Sequence, residues 1–136
     1  DHVLTVVNPN PLLRRPDPGQ ARGRSLVEYQ HSLRRTRALN LAKLYPGHGD
    51  TIDEPNKAID WILGRHEKRC ASLLKALAQG SPASPYELVR IVYPELATYY
   101  TDLGISSVVG HLELLEEAGN VRLDHVDGRL LAHVAH

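Results

Sequence analysis

The apolar residues Ile59, Ile62, Cys70, Leu73 and Leu77, with His66 on the same stripe, run in steps of three and four until Gly80. Such spacing over about five turns specifies one long amphipathic helix. Pro55, just behind Asp53, suits its first turn, where a missing amide N–H leaves no hydrogen bond unmade. Gly64 interrupts the pattern at a cost of about 1 kcal/mol relative to alanine, and reads as either a close-packing position or a hinge. Whatever flanks this helix on either side is joined through it.

On the amino-terminal side, His2 to Val7 is a β-branched run ended by Asn8-Pro9-Asn10-Pro11, and a Pro-, Gly- and Arg-rich loop follows to Arg24. Ser25 and Glu28 stand at capping-box spacing, and Leu26, Tyr29 and Leu33 share one face of a helix predicted over about Ser25 to Asn40. Leu41 to Tyr45 then reads as a strand running into Pro46, so this part is predicted to be a strand-helix-strand α/β layer. On the carboxyl side, a proline-containing link leads to Ser84, Pro85 and Glu87, a capped helix start carrying Leu88, Val89 and Val92 and ended by Pro94. A further helix is written by Ile105, Val108, Val109, Leu112 and Leu115 and stopped by Gly119. Alternating apolar residues around Asp127-Gly128 then specify a hairpin. Helices followed by such a hairpin spell a winged helix. The expected division is an α/β part over 1–64 and a winged-helix domain over 65–136.

Composition narrows the function classes. With 136 residues and 42% hydrophobic content the chain can bury a core. Lys+Arg and Asp+Glu both total 16, so no net field gathers polyanions or anionic membrane. No apolar run reaches membrane-spanning length. The single cysteine, Cys70, lies on the long stripe as a small core residue, and it fits a reducing, cytoplasmic compartment. Asp1 stands where an initiator methionine would, directly before a strand-like run, which reads as an internal fragment or a processed chain.

Eight histidines invite a search for metal or acid-base chemistry. There is no His-x-His pair, no His-Glu-x-x-His and no Cys-x-x-Cys, so a self-contained zinc site is not expected. His66 reads as a packed core histidine; His31, His111, His125 and His133 are assigned no chemistry. His48 differs, because Leu44-Tyr45-Pro46-Gly47-His48-Gly49-Asp50 runs an apolar segment into proline and sets one imidazole between two glycines. That turn is able to bend sharply and present a ligand, although a solvated loop histidine would look the same.

Asp1-His2-Val3-Leu4, a helix, Pro46-Gly47-His48-Gly49, a long helix and the tail from Ser84 to Val121 together resemble the carboxyl half of metallo-β-lactamase-fold hydrolases. The similar group carries an appended winged helix and includes thioesterases and ribonucleases. The resemblance implies an α/β remnant of an αββα sandwich followed by a long helix and a winged-helix domain. It also implies a site of two zinc ions, with Asp1 in the place of the bridging aspartate and His48 in that of the terminal histidine. A carboxylate can span two cations and a neutral imidazole offers a directional nitrogen, while metal-bound hydroxide attacks an ester, thioester or phosphodiester. The family's His-x-His-x-Asp-His motif and its middle histidine are absent. Two ligands do not hold a tight binuclear site, so the chain alone is expected to be inactive and largely metal-free.

Two rival readings use the tail. A nucleic-acid module would want Arg, Lys, Asn or Gln on the helix over 105–117, but that helix offers Ser106, Ser107, His111, Glu113, Glu116 and Glu117. Duplex DNA is therefore disfavoured. An interaction element walling a cleft or forming a homodimer is the other, using the long stripe and Tyr99 with Tyr100. Small-molecule esters, acyl thioesters and RNA are all compatible substrates, and Arg14, Arg15, Arg22 and Arg24 could meet an anionic one or be solvated charges.

Overall fold

The structure, a computed structural model, describes residues 2–5, 7, 9–96 and 100–135. The described elements are α1 (Ser25–Ala38), α2 (Pro55–Gln79), α3 (Pro85–Val92), α4 (Thr101–Glu117), β1 (Val121–Val126) and β2 (Arg129–Val134).

The long stripe forms one unbroken helix, α2, with Pro55 in its first turn. It serves two apolar clusters. Its first half contributes Ile59, Ile62 and Leu63 to a small core completed by Val3, Leu33 and Ile52, with Tyr29, Leu44 and Ala58 packed against it. Its second half contributes Leu73, Ala76 and Leu77 to a larger core with Leu88, Val89, Val108, Leu112, Leu115, Val121 and Ala132. A Cβ added at Gly64 would meet nothing within 4 Å, so this glycine permits no close packing. Gly110 does: a Cβ there would come within 3.1 Å of Leu26, which explains how α1 lies so near α4.

In the carboxyl part, local signals became the expected elements. Ser84 Oγ accepts from the Glu87 amide at 3.3 Å while the Glu87 carboxylate accepts from the Ser84 amide at 2.7 Å, a complete capping box starting α3. β1 and β2 pair antiparallel from Val121↔Val134 to Val126↔Arg129. Asp127 (φ 50°) and Gly128 (φ 75°) are both left-handed, as a two-residue type I′ turn requires. Ala83 adds one further bridge, exchanging hydrogen bonds of 3.1 and 2.9 Å with Ala132.

The amino-terminal part departs from expectation in three places. Neither the described residues of His2 to Val7 nor Leu41 to Tyr45 form a strand, so the strand-helix-strand layer is absent among the described residues. Leu44 instead makes a single bridge to Ile52. A strand is stabilised only by a neighbour beside it, and no longer pairing partner lies alongside either run among the described residues. Finally, Ser25 is not the cap of α1: the N-cap is Arg24, with no side-chain cap bond, and the helix ends at Ala38.

Candidate functional site

The Pro-Gly-His-Gly loop is built on a pinned base. Leu44 and Ile52 exchange two backbone hydrogen bonds, both 2.9 Å, which brings the ends of the 45–51 loop together. Lys43 Nζ lies 2.7 Å from Asp53 Oδ1 on the flank, and Asn56 donates to Asn40 at 3.0 Å one step further down. Leu44 and Ile52 anchor this base in the small core. Gly49 has φ 82°, a left-handed conformation that side chains other than Asn and Asp adopt reluctantly, and it lets the chain turn back directly after His48. The tip is exposed, Tyr45 to 79%, and so is His48.

Asp1, the other proposed ligand, lies outside the described residues. Its neighbour His2 is held on α1: His2 Nε2 is 3.2 Å from Thr36 Oγ1, and the Tyr29 hydroxyl donates to the His2 carbonyl at 2.7 Å. Among the described residues, no three His, Cys, Asp or Glu side chains are placed to hold one metal ion. The donors among the described residues therefore do not fit a binuclear zinc centre by themselves.

The arginine-rich loop is a strap across α4. The Leu13 amide donates to Ser106 Oγ at 2.7 Å, Arg22 forms an ion pair with the buried carboxylate of Glu113, and Arg24 reaches the Glu113 carbonyl at 2.5 Å and Glu116 at 3.0 Å. Arg22 and Arg24 are thereby committed to α4, whereas Arg14 and Arg15 are exposed. Nothing in the local sequence announced these partners, which lie about ninety positions away. Of the aromatic pair, Tyr99 lies outside the described residues and Tyr100 is exposed. Cys70 is partly buried against the larger core, and burial pushes its thiol up to about 11, as suits an unreactive packing residue.

No protein-family profile matches the chain. It is similar in fold to the metallo-β-lactamase family protein TTHA1429 of Thermus thermophilus, with a TM-score of 0.73 over 96% of this chain and 39% of that one at 24% identity. Its fold is that of part of a metallo-β-lactamase-family protein. Curated relatives agree: the probable metallo-hydrolase YqjP of Bacillus subtilis (strain 168) is 29% identical over 85% of this chain, and a β-lactamase-like protein 2 homolog of Drosophila melanogaster is 27% identical over 90%. The chain spans 36% and 44% of the length of these two relatives. The resemblance carried by the Pro-Gly-His-Gly turn, the long helix and the tail is thus borne out. Among the described residues, no helix is long and apolar enough to cross a membrane.

Proposed function

We propose that the chain is a segment of a metal-dependent hydrolase in which the 45–51 loop presents His48 as one metal ligand. The observation that carries this reading is the pinned, exposed Pro-Gly-His-Gly loop in a chain whose relatives are named metallo-hydrolase and β-lactamase-like protein. Asp1 is the second ligand in this reading, and the remaining donors come from residues other than those described. His48 and Asp1 would help hold a metal pair, zinc in this reading, which when bound would supply hydroxide chemistry toward an ester, thioester or phosphodiester. The chain's own contribution is positional: Leu44, Ile52 and the Lys43–Asp53 pair hold the loop base so that a single imidazole is presented on a rigid mount.

The tail in this reading is a winged-helix domain over 65–136 that packs as a structural element. Its support is the order of α2, the Ala83 bridge, α3, α4 and the hairpin, together with separate cores on the two halves of α2. The rival nucleic-acid reading is weakened by burial. Ser106, Ser107, His111 and Glu113 of α4 are all buried, and the strap from Leu13 to Arg24 covers that helix. The residues left exposed on α4 are Asp102, Leu103 and Glu117, which offer no cation to a phosphate backbone.

The test uses the gene product that carries this segment. His48→Ala should lower bound metal and hydrolysis of a thioester or phosphodiester by about 10-fold or more, with unfolding stability within about 0.5 kcal/mol of wild type. Unchanged metal content and turnover would overturn the reading. The 136-residue chain alone should hold less than one zinc ion per molecule by elemental analysis; two tightly held ions would overturn the expectation of an incomplete site.

A further inference from the structure

Two imidazoles with no role in the hydrolase reading meet in the interior. His66 of α2 and His111 of α4 are both fully buried, with His66 Nδ1 2.9 Å from His111 Nε2 and ring centroids 5.1 Å apart. They sit where the structure joins its parts. His66 lies on α2 between Leu63 of the small core and Leu73 of the larger one, and His111 neighbours Leu112 of the larger core. Tyr29 of α1 meets His66 in a T-shaped contact, with ring centroids 6.2 Å apart.

The hydrogen bonds fix the protons. His111 Nδ1 is 2.6 Å from the Ser107 carbonyl, which can only accept, so Nδ1 carries the proton and Nε2 is bare. That bare nitrogen accepts from His66 Nδ1–H, which leaves His66 Nε2 as the second bare nitrogen. It is buried without a hydrogen-bond partner among the described residues. The chain of bonds is complete with both rings neutral. An added proton on His66 finds only the weak support of the Pro9 carbonyl, and one between the rings replaces the acceptor there by a second donor.

We propose that His66 and His111 form an acid-sensitive latch between the two cores, which closes α2 on α4 while both rings are neutral and is released when they take up protons. The surroundings oppose charge on either ring. Arg65 and Arg69 of α2 are the charged groups that act on the pair, and both repel a further cation. Arg69 is itself placed by the α4 hydroxyl of Ser107 at 3.4 Å and by the Tyr93 ring beyond α3. From α1 the nearest titratable group is the Tyr29 phenol, pushed up to about 12 by burial and therefore uncharged. Cys70 reaches the His111 carbonyl at 3.8 Å as a thiol. The Pro9 and Ser107 carbonyls pull the other way, and they are outweighed by burial.

Burial above all, then the neighbouring ring and Arg69, push His66 down to about 3, and burial pushes His111 down to about 4. Both rings would titrate near 6.5 once the chain unfolds. The folded protein thus binds fewer protons than the unfolded one below pH 6.5. Stability is complete above that value and falls as pH drops from about 6.5 toward 4 and 3.

Urea unfolding of the full chain between pH 7.5 and 5 tests the latch. Near pH 5, unfolding should take up close to two protons, so that its equilibrium constant rises by about 100-fold per pH unit. The double variant His66→Leu/His111→Leu should lose that slope. Uptake of less than one proton, or a double variant with the wild-type slope, overturns the proposal. Should the variant fail to fold, ring NMR of the wild-type protein decides: both rings are expected to stay neutral Nδ1–H tautomers from pH 8 to 5. Titration of either with a midpoint above pH 6 overturns the latch.

Discussion

Two serines in this chain carry the same helix-start signal and meet different fates. Ser84 has Glu87 three residues on and forms the full reciprocal box at α3. Ser25 has Glu28 at the same spacing, yet the cap of α1 falls at Arg24, one residue earlier, without a side-chain bond. The difference lies in what holds the preceding residue. Ala83 is bridged to β2 immediately before Ser84, so the chain enters α3 from a fixed extended conformation that suits a cap. Arg24 is drawn instead to Glu113 and Glu116 of α4, and the Glu28 amide bonds to its carbonyl at 3.0 Å, so the strap sets where α1 begins. A local signal is obeyed where the surrounding contacts agree with it.

The same contrast separates the two parts of the molecule, and it can be broken most forcefully in the larger core. Leu112 is fully buried there, so Leu112→Ala should cost about 2–5 kcal/mol by urea unfolding. Leu41, 37% exposed in the run that does not become a strand, should change stability by less than about 0.5 kcal/mol when cut to alanine. A comparable loss at both positions would mean that the two regions are equally packed. The two serines give the finer comparison: Ser84→Ala should cost about 0.5–2 kcal/mol, and Ser25→Ala should fall within about 0.5 kcal/mol of wild type. Equal losses would restore Ser25 as a working cap. Opposite in sign is Gly64→Ala, expected to stabilise by about 0.5–1 kcal/mol because α2 is continuous there and a methyl group meets no neighbour. Destabilisation would indicate that the glycine is needed as a hinge.

How much could be read in advance follows from where the partners sit. The α2 stripe, the α3 box and the Asp127-Gly128 hairpin are legible because each is decided within a few residues. The amino-terminal runs misled because an apolar segment becomes a strand only beside another, a condition no residue within the run can state. His66 was legible as a core residue from its place on the stripe. Its pairing with His111, forty-five positions away, was not, since helix periodicity says which face is buried and is silent on what faces it. At the candidate site, the Pro-Gly-His-Gly pattern pointed to the loop, and the ladder of Lys43–Asp53, Leu44–Ile52 and Asn40–Asn56 that supports it appeared only in three dimensions.

That paired base makes the segment between it an exchangeable cartridge. Because both ends meet at one hydrogen-bonded pair, lengthening or shortening the stretch alters the reach of the tip while the helices beneath keep their seats. Descendants of one scaffold can in this way retune what the imidazole approaches without re-solving the packing below it.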